Sequence, residues 1–436
     1  MEKRIGIRRE DKNPWERRVP LTPKHVFNLK TMHRIQTVIQ PSSIRIFKDE
    51  EYVKAGAVVQ EDLSSCSVVL GVKEMPHSFF LPSKFYLFFS HTTKGQSQNM
   101  PMLGRLAELG CTLLDYEKAV DRTGRRILFF GRYAGLAGMI DTLWALGRRL
   151  EWEGIRTPLQ RMKPTHQYRS LAEAKSAVLE IGQLIRQYGL SSLHPLVIGF
   201  SGYGHVSSGA QEIFNLLPHR ELPPSQLTEW ESIEKGPPNE LIKVVFHEED
   251  LMRRRDDRRP FDLQEYYDHP DQYESRFEFF LPYLTALVNA IYWSPRYPRL
   301  VTRTALKKLY DLHHPPRLRV IGDITCDIEG SIECTLRSTQ PDDPVFVYDP
   351  FSHTVQSGVE GNGPVVLAVD NLPCELPRAS SRYFGNALMP YLPEIAGVRL
   401  DADFENCRLS PEIKGAIILY KGRFTPPYRY MESFIQ

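Results

Sequence analysis

One stretch constrains this chain more than any other. Residues 196–201 (Leu196-Val197-Ile198-Gly199-Phe200-Ser201) form a short bounded apolar run. Such a run suits a parallel strand buried on both faces. Gly202-Tyr203-Gly204 follows, and then His205-Val206-Ser207-Ser208-Gly209-Ala210-Gln211-Glu212-Ile213-Phe214 has the spacing of a helix. Gly202 permits a turn closed to other residues, and Gly204 lets backbone approach a pyrophosphate. Gly209 and Ala210 are expected to let the helix lie close to the sheet. The helix N-terminus offers free N–H groups and the positive end of its dipole to phosphates. Ser207 stands where a third glycine is usual, so a strand-to-helix turn with small packing residues is the alternative.

Before this stretch, strands and helices alternate. Strands are expected at 4–8, 35–39, 67–73, 85–90, 112–114 and 127–130. Helices are expected from Thr22-Pro23, from Asp49 to Lys54, at 98–109, at 133–151 and at 171–187. The rhythm implies an α/β fold with parallel sheets. After Leu217 it breaks, and 222–273 reads as an insertion. Regular elements return as helices at 276–288, after Thr302, from Pro377 and at 412–419. Strands are expected at 290–293, 318–324, 345–348 and 365–369.

The 436 residues are enough for two or three domains. A formal net charge of +2 points to no polyanionic partner such as nucleic acid. The basic run at 253–259 is interleaved with acids and reads as a solvated loop. The 6 cysteines form no C-x-x-C pair, and no cluster has zinc spacing, so no metal is expected. No run approaches the ~18 apolar residues of a membrane span, and no signal region opens the chain; a cytoplasmic protein is expected.

Ligands of open α/β sheets bind beyond the carboxyl ends of the strands. Lys73 and His91 fall there. They read either as an acid–base pair or as a lysine paired with Glu74 and a loop-capping histidine. Glu16-Arg17-Arg18 and Gly124-Arg125-Arg126 supply arginines, the residue type suited to carboxylate capture, or else ordinary surface charges. Asp115, Glu117, Asp323 and Asp370 add acids at strand ends, where caps and turns also use them.

Ordered segments across nearly the whole chain resemble one family. They are Gly6-Ile7-Arg8-Arg9-Glu10-Asp11, Trp15-Glu16-Arg17-Arg18, Tyr52-Val53-Lys54-Ala55-Gly56, Phe88-Phe89-Ser90-His91-Thr92, Asp115-Tyr116-Glu117-Lys118, Gly135-Leu136-Ala137-Gly138-Met139-Ile140, Gly209-Ala210-Gln211-Glu212-Ile213-Phe214, Ile291-Tyr292-Trp293 and Val369-Asp370-Asn371-Leu372-Pro373. The chain resembles the lysine–2-oxoglutarate reductase part of the α-aminoadipic semialdehyde synthases. It is similar, more distantly, to the lysine-forming saccharopine dehydrogenases, within the alanine dehydrogenase and transhydrogenase group. The resemblance implies condensation of L-lysine with 2-oxoglutarate to an imine, then hydride reduction to saccharopine. It implies Lys73 and His91 as the acid–base pair, with the individual proton transfers left open. Arg18, Gln96, Arg126, Phe130 and Asp370 would meet substrate. Arg125, Gly202, Gly204, His205, Tyr292 and Asp323 would meet the cofactor, with Glu74 and Glu117 tuning the pair.

The same resemblance implies two Rossmann-like domains flanking a cleft: 1–138 with 372–436 for substrate, and 139–371 for the dinucleotide. His219 and Arg220, about 20 residues past the glycines, are placed to greet a 2′-phosphate, and Glu221 to hold a ribose hydroxyl. These residues leave the choice open, and the resemblance to the synthase reductases implies NADPH, with NADH possible. The synthases continue into a saccharopine dehydrogenase domain that has no room here. A free-standing reductase or an excised piece is expected, with a separate dehydrogenase oxidising the product. The alternatives are an opine-type or alanine dehydrogenase with another amine or keto acid, and a nucleotide-binding sensor. The sensor is expected to lack Lys73 or His91.

Overall fold

Short runs of Val, Ile, Leu and Phe bounded by turn residues build two eight-stranded sheets in a computed structural model describing residues 3–190, 193–256, 258–313, 315–399 and 402–435. In chain order the strands are β1 (Arg4–Ile7), β2 (Gln36–Ile39), β3 (Val58–Val59), β4 (Val68–Leu70), β5 (Phe85–Phe88) and β6 (Thr112–Asp115). Next come β7 (Val197–Ser201), β8 (His219–Leu222), β9 (Leu241–Phe246), β10 (Met252–Arg254), β11 (Tyr273–Ser275) and β12 (Ala286–Asn289). The last are β13 (Val320–Asp323), β14 (Val345–Tyr348), β15 (Val355–Ser357), β16 (Val365–Leu367), β17 (Ile417–Tyr420) and β18 (Arg423–Phe424).

The chain divides into two units, Met1–Phe130 with Pro377–Gln436, and Gly131–Leu376. In the first, six parallel strands run β3-β2-β1-β4-β5-β6, and the antiparallel β17 and β18 extend the β6 edge. Ile5, Ile7, Val69, Leu87, Leu113 and Ile418 are buried in its core. In the second, six parallel strands run β8-β9-β7-β12-β13-β16, and the antiparallel β14 and β15 extend the β16 edge. Val197, Val244, Leu287 and Ile321 sit in its core.

Several expectations change. The stretch 222–273 is no simple insertion, because it supplies β9, the direct neighbour of β7. Residues 127–130 form no strand; Phe130 instead stacks on Phe384 at 4.8 Å. The segment expected as a helix over 276–288 holds two 3-10 turns, Phe277–Phe279 and Leu281–Tyr283, and then enters β12, ahead of the strand expected at 290–293. Pro282 removes the amide a continuous helix needs. The helix expected over 412–419 shrinks to Pro411–Lys414, and the β-branched run after it forms β17. In the basic run, Arg253 and Arg255 pair with Glu274, and Arg254 pairs with Glu265. Among the described residues, no helix is long and apolar enough to cross a membrane.

The helix Gly131–Trp152 opens the second unit and packs on the helix His205–Phe214. A Cβ built on Gly135 would stand 1.9 Å from the Val206 carbonyl oxygen, and one on Gly209 would stand 2.1 Å from that of Arg132. Gly209 thus brings its helix against another helix, where the sequence reading has it against the sheet.

Candidate functional site

In the first unit, the chain leaves β4 and β5 through Lys73 and His91, each three residues past its strand. Glu10, beyond β1, fixes the first exit. One carboxylate oxygen accepts the Val72 amide at 2.7 Å and the other accepts the Lys73 amide at 3.0 Å. Burial, and then the charge of Glu16, raise the Glu10 pKa to about 7. Nothing local in the sequence marked Glu10, since its partners lie over sixty residues away.

Lys73 is partly buried, and that burial, followed by the charge of Arg18, lowers its pKa. A lysine so placed releases a proton more readily than one in water. His91 has φ +47°, a left-handed backbone costly for a residue with a Cβ. The Asn99 side-chain amide donates to its carbonyl at 2.9 Å. Its Nδ1 meets Glu74 Oε1 at 2.7 Å, and Glu74 also pairs with Lys12 at 2.8 Å. Burial alone would raise the Glu74 pKa; the bonds to His91 and Lys12 pull it down to about 2. The carboxylate therefore stays ionised and orients the imidazole. His91 Nε2 lies 3.9 Å from Glu117 Oε1, and Glu117 lies 3.7 Å from Arg126. So His91, Glu74, Glu117 and Arg126 form one connected group, and Lys73 feels the charge of Glu74 beside it. The alternative reading paired Lys73 with Glu74; the Glu74 carboxylate is instead bonded to His91 and Lys12.

Arg18 is buried, and its fork goes to Glu16: Nε donates to Oε1 at 2.8 Å and Nη2 to Oε2 at 2.6 Å. Its guanidinium lies over the Phe130 ring at 4.2 Å. Much of the expected substrate-binding fork is thus committed to holding the site. Beneath it, Ser90 Oγ donates to Asp115 at 2.5 Å, and the Glu117 amide donates to the other Asp115 oxygen at 2.8 Å. Burial raises the Asp115 pKa to about 6. Gln96 Oε1 accepts the Lys94 amide at 3.1 Å. Arg125 is 75% exposed and turns back on Thr123 and Asp121 of its own loop.

In the second unit, the turn after β7 has Gly202 at φ +83°, with its N–H bonded to the Phe246 carbonyl at 3.1 Å. A Cβ on Gly204 would meet nothing within 4 Å, so open space lies over the turn, and His205 begins the helix behind it. These features fit a dinucleotide pyrophosphate. Asp323 is enclosed within the unit. Its carboxylate is buried and accepts three side-chain donors: Asn289 at 2.8 Å, Thr325 at 2.7 Å and Thr335 at 2.6 Å. Asn289 also accepts Ser201 Oγ at 2.8 Å. The Asp323 side chain therefore ties strand ends together. Asn289 was missed because only the pairing of β7, β12 and β13 gives it that task. Asp370 and Tyr292 are exposed, Tyr292 at 76%.

His219, Arg220 and Glu221 each have a partner within the unit. His219 bonds the Leu217 carbonyl at 2.9 Å, Arg220 pairs with Glu240 at 3.1 Å, and Glu221 holds Lys243 at 2.9 Å. All three lie on the edge strand β8, which does not touch β7. Among the described residues no group of three or more His, Cys, Asp or Glu is placed to hold a metal ion.

Residues 6–137 match the alanine dehydrogenase/PNT N-terminal domain, and residues 293–427 match the alanine dehydrogenase/PNT C-terminal domain. The chain is 39% identical to an alpha-aminoadipic semialdehyde synthase of Arabidopsis thaliana, over 98% of this chain and 41% of that one. It is 38% identical to the mitochondrial alpha-aminoadipic semialdehyde synthase of Bos taurus, over 98% of this chain and 47% of that one. It thus spans less than half the length of these synthases. A saccharopine dehydrogenase (NAD(+), L-lysine-forming) of Emericella nidulans is 28% identical over 93% of this chain and 94% of that one. Among solved structures, an L-alanine dehydrogenase superposes with a TM-score of 0.62 at 18% identity, covering 99% of this chain and 100% of that one.

Proposed function

We propose that this chain, which belongs to the alanine dehydrogenase/PNT family, is a reductase joining L-lysine and 2-oxoglutarate into saccharopine. The observation that carries the reading is the connected group of His91, Glu74 and Glu117, with the partly buried Lys73 beyond the neighbouring strand. The reaction needs proton transfers at nitrogen and at oxygen while an amine adds to a ketone and water leaves. A partly buried lysine and a carboxylate-oriented histidine supply two groups able to make them. Glu74, held ionised, stabilises the protonated imidazole, so His91 accepts a proton and later returns it. Glu117 and Arg126 border the histidine's other nitrogen, where a substrate carboxylate would meet the arginine.

The second unit is proposed to hold the dinucleotide, with Gly202, Gly204 and the start of the helix at His205 receiving the pyrophosphate. When bound, a reduced nicotinamide supplies the hydride that completes the product.

The test follows absorbance at roughly 340 nm, the dihydronicotinamide band, with lysine and 2-oxoglutarate supplied together and singly. The expected result is oxidation only when both are present, lost in Lys73→Met and His91→Gln. Oxidation with 2-oxoglutarate and a different amine, and none with lysine, would overturn the substrate assignment.

A further inference from the structure

We propose that the segment Pro426–Phe434 is a strap that positions the loop carrying His91, with Tyr430 as the residue that grips it. The inference rests on the reading above for the role of His91, and on the first unit alone for its geometry.

The strap starts at the far edge of the sheet. β18 pairs with β17, β17 with β6, and β6 with β5. Three strand spacings therefore separate β18 from β5, about 14 Å at ~4.8 Å each. Pro426–Phe434 is a 3-10 segment of 9 residues. At ~2.0 Å per residue it spans about 18 Å, enough to come back across those strands. Its foot is fixed. The Thr425 amide donates to the Ile418 carbonyl at 3.0 Å, and the Thr425 hydroxyl donates to that of Ile417 at 2.6 Å. The Tyr428 hydroxyl donates to the Gly415 carbonyl at 2.9 Å, and Met431 is buried. Tyr428 also feels the charge of Asp115, so the strap passes the end of β6 on its way.

The other end reaches the loop after β5. The Tyr430 hydroxyl donates to the Thr93 carbonyl at 2.9 Å. Thr93 lies between His91 and Gln96. Phe434 covers Gly95, which has φ +68°; a Cβ built there would stand 3.3 Å from the Phe434 ring. The Tyr430 and Phe434 rings meet edge to face with centroids 6.0 Å apart, so the two grips support each other.

The loop has use for such a grip. His91 holds φ +47°, a conformation that persists only where the surroundings impose it. Its own stretch of chain supplies the Asn99 bond to the His91 carbonyl and the Gly95 bond to the Thr92 carbonyl at 3.0 Å. Tyr430 adds a restraint from 337 residues along the chain. Burial raises the Tyr430 pKa, so the hydroxyl remains a donor at neutral pH. The imidazole has to keep Glu74 on one nitrogen and Glu117 near the other. A displacement of about 1 Å at a reacting group can lower a rate about a hundredfold, and one lost bond frees the loop only in part.

Tyr430→Phe removes the hydroxyl alone. The kcat with lysine and 2-oxoglutarate is expected to fall about fivefold, with KM for both within about twofold and the urea midpoint unchanged. Amide hydrogen exchange over 91–96, followed by mass spectrometry, is expected to quicken about fivefold, and it is read without turnover. Phe434→Ala is expected to lower kcat in the same way, and Phe434→Leu, which keeps an apolar cover over Gly95, to restore it. Tyr420→Phe is the control. It removes a hydroxyl bond of the same kind, to the Ala402 carbonyl at 2.8 Å, and is expected to leave kcat unchanged. Exchange at 91–96 indifferent to Tyr430→Phe, or kcat lost equally in Tyr430→Phe and Tyr420→Phe, would overturn the proposal. Faster exchange at 91–96 in a chain that never condenses lysine with 2-oxoglutarate would sink the reaction and leave the strap standing. Turnover that needs Lys73 and His91 and ignores Tyr430→Phe would do the reverse.

Discussion

The two units repeat one plan and use it differently. Each has six parallel strands and an antiparallel pair at one edge. In the first, the parallel strands run in the order 3-2-1-4-5-6 by their sequence rank. In the second, the second and third strands have exchanged places, so the order is 2-3-1-4-5-6. The strand ends differ in chemistry too. Those of the first unit present the titratable groups Glu10, Lys73, His91 and Asp115. In the second unit, Asp323 is enclosed among Asn289, Thr325 and Thr335, and the chain turns at Gly202 beside the end of β9. One architecture thus carries partly exposed titratable side chains at the strand ends of one unit and a glycine turn with open space over it in the other. What a strand end does depends on which strand stands beside it, and rank along the chain does not fix that.

The comparison breaks most decisively at Lys73. Lys73→Met is expected to lower turnover about 10²–10⁴-fold, the range of a lost general acid–base group. Dinucleotide affinity, measured by calorimetry, is expected to stay within about twofold, because no dinucleotide-shaping residue of the second unit is touched. Equal losses of turnover and affinity would show that the two edges do not divide the work.

Gly135→Ala tests the other side. The new methyl group would meet the Val206 carbonyl oxygen at 1.9 Å, and that oxygen belongs to the first turn of the glycine-turn helix. Backbone gives way less than a flexible side chain, so a loss of about 3 kcal/mol is expected in urea unfolding, with weaker dinucleotide binding. Unchanged stability would mean that the two helices separate without cost.

Glu10→Gln sharpens the picture within the first unit. The amide keeps one oxygen for the Val72 and Lys73 N–H groups in place of two. A fall in kcat of about tenfold with KM nearly constant is expected, because the variant misplaces Lys73 and leaves substrate contacts alone. The Glu10 pKa is raised to about 7, so the carboxylate that grips both amides is lost as pH falls through that value. An acid limb of kcat near pH 7 that vanishes in Glu10→Gln would confirm the positioning role. A parallel shift of kcat and KM with the limb intact would refute it.

Local features were legible in the sequence and pairings were not. The strand, turn and helix over 197–214 could be read because each residue's task depends on near neighbours. Lys73 and His91 were found because strand ends are visible as the close of apolar runs. Glu10 and Asn289 escaped because their partners come from distant strands. The apolar run at 127–130 misled because Phe130 answers to Phe384 and Arg18 rather than to a sheet partner. Arg18 was legible as a residue but its bond to Glu16, two positions away, was not.

The second unit is not without titratable groups, and its buried acid pair shows what separates a structural charge from a catalytic one. Asp141 and Glu375 are buried near each other, each acting on the other's charge. The Thr165 amide donates to Asp141 at 2.7 Å and the His166 amide to Glu375 at 3.1 Å. Burial raises both pKa values, Glu375 from 4.5 to about 8, and the neighbouring charge of Glu375 adds to the rise of Asp141. The sign follows from linkage. Below pH 4.5 the folded and unfolded chains both hold the Glu375 proton, and the pair contributes in full. Between 4.5 and about 8 the unfolded chain has released a proton that the folded chain keeps, so stability falls as pH rises. The expected slope is on the order of 1 kcal/mol per pH unit from this pair. In Glu375→Gln that slope should flatten, as urea midpoints taken from pH 5 to 8 would reveal. Turnover compared at one pH where both proteins are folded is expected to differ by less than about twofold, because a proton held inside the unit never reaches a reacting atom. If turnover instead follows the pair's titration, the proton economy of the two edges is shared, and the division between a chemical edge and a shaping edge fails at this residue.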